Sequence, residues 1–80
     1  MVKTKINIQD QYLNNVRREK AQVSVRLVSG VDLEGSLKAF DNFCVVLKSG
    51  DTYHLLYKHA IESVRPFTPL KKFEAIYENF

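Results

Sequence analysis

Leu33-Glu34-Gly35-Ser36-Leu37-Lys38-Ala39-Phe40-Asp41-Asn42-Phe43 is the stretch whose reading decides the fold. Val31, Leu33, Leu37 and Ala39 alternate with polar residues, as in a strand buried on one face. Gly35 takes an inward position where a side chain would crowd a sharply bent sheet. Asp41-Asn42 then reads as a tight turn, and Phe43 to Lys48 as a nearly continuous apolar strand.

The same alternation extends outward on both sides. Upstream, Val23, Val25 and Leu27 alternate with Ser24 and Arg26 until Ser29-Gly30 breaks the run. Downstream, Ser49-Gly50-Asp51 is a turn, Thr52 to Tyr57 a fourth strand, and Ala60 to Arg65 a fifth that Pro66 stops. Before the strands, Ile8, Tyr12, Leu13 and Val16 recur at helical spacing. This predicts an amphipathic helix that Asn7 caps, with Asp10 near the positive end of the dipole and Arg17, Arg18 and Lys20 at the negative end, near the close of the helix at about Lys20. One helix and five short antiparallel strands imply an all-β domain, a strongly bent barrel with the helix over an open end. An OB-fold and an SH3-like barrel both fit this count.

Eighty residues allow one domain with a thin core, a size at which disulfides, a metal or self-association usually add stability. Cys44 is the only cysteine, which excludes an intramolecular disulfide, and with His54 and His59 it does not make a structural zinc set of the usual spacing. No cofactor or metal is expected. Self-association is the staple that remains. The apolar runs are far short of the roughly 20 residues that cross a bilayer, and Met1-Val2-Lys3-Thr4-Lys5 leads into no signal-peptide core, so a cytoplasmic protein is expected. A net charge of +3 favours anionic partners. An enzyme is not expected: Cys44 lies in an apolar strand without an evident base, the carboxylates are dispersed, and no phosphate-binding glycine loop occurs.

Three segments resemble one family. Leu33-x-Gly35-x-Leu37-x-x-Phe40-Asp41-x-Phe43 resembles the first motif of Sm-like proteins, and Tyr57-Lys58-His59-Ala60-Ile61 resembles the second in the form it takes in the bacterial RNA chaperone family Hfq. Gln9-Asp10-x-Tyr12-Leu13-Asn14-x-x-Arg17-Arg18-Glu19 is similar to that family's N-terminal helix. The likeness runs over roughly residues 6 to 66.

The resemblance implies an Sm-like, SH3-like barrel that forms a homohexameric ring, the fourth strand of one subunit pairing with the fifth of the next. Six copies at +3 would carry roughly +18, a field that recruits RNA quickly and with marked salt dependence. On the proximal face the family binds U-rich single-stranded RNA. There Phe43 would stack on a base, Lys58 and His59 would contact base and phosphate, and Gln9 and Asn42 would read base edges. Asn14, Arg17, Arg18 and Lys20 match a basic rim that contacts RNA backbone and promotes pairing, while Tyr57 would pack at the subunit interface and Asp10 would order the helix start. The implied role is RNA-RNA pairing between small regulatory RNAs and mRNAs in post-transcriptional regulation.

The opposite, distal face departs from the family's pattern. Gly30, Val31 and Ser63 match it in kind, but Arg26 stands where the family has an aromatic residue, and Asp32 and Glu34 add two carboxylates per subunit. These repel phosphate, so a weakened or altered preference for A-rich RNA is expected there. The tail departs as well: the Sm-like domain is assigned to 1–69, and 70–80 forms a distinct segment. In it Thr68-Pro69 offers a cap and first-turn proline before Leu70, Phe73, Ile76, Tyr77 and Phe80 at helical spacing, which reads either as a short helix that must dock to be ordered or as a frayed tail with incidental aromatics. A competing reading is a protein-assembly module of SH3-like shape on which the basic charge is incidental.

Overall fold

The computed structural model describes residues 8–77. Helix α1 spans Ile8–Arg18, followed by strands β1 Gln22–Leu27, β2 Asp32–Phe40, β3 Cys44–Ser49 and β4 Thr52–Tyr57. A single 3-10 turn at Lys58–Ala60 leads into β5 Ile61–Pro66, and a second helix, α2, covers Lys71–Tyr77. All strand pairs are antiparallel, in the order β4-β3-β2-β1-β5. The expected cap Asn7 and the tail residue Phe80 lie outside the described residues, as do the side chains of Ile76 and Tyr77.

Two bulges bend the sheet. Lys38 is extra between Leu37↔Leu47 and Ala39↔Val46, and Glu62 is extra between Arg26↔Ser63 and Leu27↔Ile61. Gly35 sits where β2 curves over β3, and a Cβ there would collide with the backbone carbonyl of Lys48. Only glycine lets the strands approach this closely. The concave face buries Val23 and Val25 of β1, Leu37 of β2 and Val45 and Leu47 of β3, with Leu13 and Val16 of α1 closing one end.

Several positions differ from the alternation read in the sequence. Ser24 is buried although it falls on the polar phase, because β1 is flanked by β2 and β5, where Glu34 and Arg65 are its cross-strand partners, and its hydroxyl accepts a 3.4 Å hydrogen bond from Arg65. Val31 precedes β2 and is half exposed, and Ile8, at the start of the helical stripe, is exposed, whereas Asn15 is buried and donates to the Gln11 carbonyl at 2.8 Å. Phe43 stands outside β3, which begins one residue later. Pro66 is the last residue of β5 rather than its stop. The Phe67 N–H donates to the Gln22 carbonyl, so by antiparallel alternation residue 66 directs its nitrogen away from β1, where a proline loses no bond.

Helix α1 also ends earlier than the charge pattern suggested. Lys20 has φ 53°, its N–H donates to the Arg17 carbonyl, and the Ala21 N–H donates to the Val16 carbonyl, both at 3.1 Å. This is a Schellman close with lysine where glycine is favoured. Lys20→Gly is expected to raise stability by about 0.5–1 kcal/mol, read as a higher urea midpoint at unchanged slope.

At the other end the chain returns to α1. Leu70 is 3% exposed within the core, its carbonyl accepts the Glu74 N–H at 2.8 Å, and α2 begins one residue later, so Leu70 rather than Thr68 holds the cap position. The Phe73 ring meets Tyr12 edge-on, with centroids 4.9 Å apart. Seven residues would not stay helical alone, and this docking supplies the order. Tyr12, half-buried between α2 and β5, donates its hydroxyl to the Val64 carbonyl at 3.0 Å.

Candidate functional site

Five side chains named from the sequence converge on one shallow pocket of about 320 Å³: Gln9, Asn42, Phe43, Lys58 and His59. Gln9 comes from the first turn of α1, Asn42 and Phe43 from the β2–β3 turn, and Lys58 and His59 from the 3-10 turn. The sequence separates these three segments widely, and the bent sheet brings their ends together.

The turn is built by Asp41. Its Oδ1 accepts the backbone N–H of Phe43 and of Cys44, each at 2.8 Å, and its own N–H donates to the Cys44 carbonyl at 2.9 Å. An aspartate bonded to the amides two and three residues on fixes a tight turn. The Phe43 amide, then that of Cys44, hold the Asp41 carboxyl below the usual carboxylate range. A lowered pKa means the bond contributes fully above the ordinary carboxylate pKa and is lost only as pH falls through the lowered value. The turn is therefore intact near neutral pH.

Phe43 is thereby presented outward, 75% exposed. Its carbonyl accepts the Lys58 N–H at 2.7 Å, so the two turns that supply most of the pocket are tied by backbone. His59 stacks on Tyr57, with centroids 5.7 Å apart and planes 24° from parallel. The Lys58 side chain is 10% exposed, and its Nζ lies 3.4 Å from Gln9 Oε1 and 3.6 Å from Asp10 Oδ1. An exposed ring, an amide edge and a fixed ammonium within one pocket are the groups that hold an unstacked base and its phosphate.

The rim candidates lie along the last turns of α1 and just past it. Arg17 and Arg18 are exposed, as is Lys20, and Arg17 donates to Asn14 Oδ1 at 2.9 Å. The distal candidates fall on the other side of the sheet's first hairpin. Arg26 and Asp32 are register partners on β1 and β2, and the guanidinium donates to both carboxylate oxygens, at 2.9 and 3.1 Å. The bonded pair pushes Arg26 up and Asp32 down. Ser63 faces Arg26 across the β1–β5 ladder, Val31 is half exposed, and Gly30 takes φ 95° in the turn. Tyr57, assigned to a subunit interface, is 53% exposed on β4.

Sequence reading did not assign three positions that shape the pocket. Asp41 was read only as part of a turn, although aspartate before two free amides is an Asx-turn signal. Asp10 was assigned to the helix start but also reaches Lys58. Phe40, taken as a motif position, has both the Lys58 ammonium and the Arg17 guanidinium beside its ring. Among the described residues, no cluster of three or more metal-ligating groups occurs, and no helix is long and apolar enough to cross a membrane.

The comparisons with known proteins agree on one family. The sequence model described as Hfq protein matches residues 8–71. The RNA-binding protein Hfq of Alkaliphilus metalliredigens is 46% identical over 69 residues, covering 86% of each chain. That of Carboxydothermus hydrogenoformans is 43% identical over 75 residues, 94% of this chain and 88% of its own. Among solved structures, a crystal structure of the pleiotropic translational regulator Hfq superposes with a TM-score of 0.72 at 36% identity, over 74% of this chain and 98% of that one. An Hfq protein from Anabaena sp. gives 0.67 at 28% identity, over 72% and 93%. These are RNA-binding proteins rather than enzymes, and they share the helix followed by a bent five-stranded antiparallel sheet of the Sm-like fold. A match from α1 through β5, with relatives covered nearly end to end, places this chain in the Hfq family.

Proposed function

We propose that this RNA-binding protein is an RNA chaperone, a cytoplasmic homohexameric ring that binds U-rich single-stranded RNA in the pocket and promotes RNA-RNA pairing at its rim. The observation that carries the reading is the presentation of Phe43, an aromatic ring held in solvent by the Asp41 turn beside Lys58 and His59. Stacking on an exposed ring contributes about 1–3 kcal/mol per base, and amide and cationic groups beside it read the edge and the phosphate. Six copies turn a weak mononucleotide site into a tight one by avidity. The exposed cations Arg17, Arg18 and Lys20 serve backbone contacts that let a second strand approach. Small regulatory RNAs and mRNAs are the partners this arrangement suits.

Filter binding of hexauridine at two salt concentrations tests the proposal. Tight, salt-sensitive binding is the expected result. Absence of binding at both concentrations would sink it in favour of an assembly module.

The distal face supports a narrower specificity. Arg26 is held in the plane of the Asp32 carboxylate by two hydrogen bonds, which removes it as a free cation while leaving the faces of its guanidinium open. Oligoadenine is therefore expected to bind at least about tenfold more weakly than oligouridine of equal length, and Asp32→Asn to narrow that gap by releasing the guanidinium. Parallel titrations measure both.

A further inference from the structure

Two cations from different elements close on one aromatic ring. The Arg17 guanidinium carbon lies 5.2 Å from the Phe40 centroid and the Lys58 ammonium 5.4 Å from it. Both are within the range in which a ring quadrupole attracts a cation. Phe40 ends β2, pairs with Val45 and packs against the core, so the ring is anchored on the sheet between the two elements that carry the charges.

The other holds on the two cations are unequal. Arg17 has a 2.9 Å hydrogen bond to Asn14. Among the described residues, Lys58 Nζ has longer contacts, to Gln9 at 3.4 Å and Asp10 at 3.6 Å, and its side chain is largely withdrawn from solvent. The two like charges also repel across the ring they share.

We propose that Phe40 is a positioning residue that seats the pocket lysine and the rim arginine on one ring and thereby couples the two sites. A phosphate that neutralises Arg17 relieves the repulsion and lets Lys58 settle more firmly, so rim occupancy strengthens the pocket. The inference about RNA rests on the uridine reading, while the coupling between the side chains does not.

The test therefore has one arm without RNA. In the free protein, the Lys58 and Arg17 methylene protons are expected to show ring-current shifts in NMR spectra. These shifts should vanish in Phe40→Leu and persist in Phe40→Tyr, and Arg17→Ala should move the Lys58 signals only where a ring is present. In the second arm, Phe40→Leu is expected to weaken hexauridine binding at least about threefold, with Phe40→Tyr restoring it. The losses from Arg17→Ala and Lys58→Ala should combine non-additively, a cycle that keeps Phe40 intact and stands even where Phe40→Leu does not fold. Additive losses, or a Lys58 spectrum unmoved by Arg17→Ala, would overturn the proposal. A protein that shows the coupling in the first arm but binds no hexauridine loses the uridine reading and keeps the side-chain inference.

Discussion

Phe43→Ala is expected to leave the domain's stability unchanged and to lower its affinity for hexauridine by at least about 100-fold. The two halves of this result follow from one number, the 75% exposure of the ring. Truncating a buried phenylalanine costs about 3–5 kcal/mol through lost transfer energy and a cavity. A ring in solvent leaves no cavity, and the turn beneath it is held by Asp41 through backbone amides that alanine also possesses. What alanine lacks is the π-face. One stacked base forfeits about 1–3 kcal/mol, and a hexamer of uridine that engages several subunits forfeits it several times. Thermal unfolding and filter binding on the same preparation give both halves. A variant that loses stability along with affinity would show Phe43 to be a structural residue.

The contrast between core and exposed phenylalanine shows where the sequence was legible. Phe43 follows an apolar alternation and precedes an apolar strand, so pattern alone assigns it to β3 and to the core. Its exposure depends on the Asp41 carboxylate taking two amides, a local hydrogen bond that periodicity does not encode. The strands themselves were readable because period-two burial is a backbone property. Gly35 was readable because β2 passes over the Lys48 carbonyl where no side chain fits. Ser24 and Val31 were misread because Ser24 is covered on the outer face by its cross-strand neighbours Glu34 and Arg65, and Val31 falls before the strand begins. The early end of α1 rests on lysine adopting a left-handed φ, which the charge pattern of the last turn conceals. The pocket was legible as a set only through its resemblance to a family motif. Its electrostatic frame, Asp10 and Phe40 about Lys58, appears only once the elements are packed.

Leu55→Pro is expected to convert the proposed ring into a folded monomer and to abolish most of the RNA affinity with it. Ser49 and Thr52 pair across the two-residue turn Gly50-Asp51, with Gly50 at φ 61°. Such a turn makes the flanking pair the hydrogen-bonded one, and antiparallel bonding alternates from there. Thr52, His54 and Leu56 therefore bond to β3, and the amides of Tyr53, Leu55 and Tyr57 point outward along an edge that no described strand covers. These three residues are 62%, 60% and 53% exposed. An edge with free amides and large apolar groups is prone to association in water and suits pairing with another copy. The outer edge of β5, at the far end of the same sheet, is its geometric complement in a closed ring. Proline at residue 55 removes one outward amide and no bond among the described residues, the position at which strands tolerate it. Native mass spectrometry should then find the 9.3 kDa chain alone in place of about six times that mass, and the circular dichroism of a folded sheet should remain. Hexauridine should fall to the affinity of a single pocket, because avidity requires that several pockets share one rigid frame. A hexamer that persists in Leu55→Pro would show that the ring closes through some other surface.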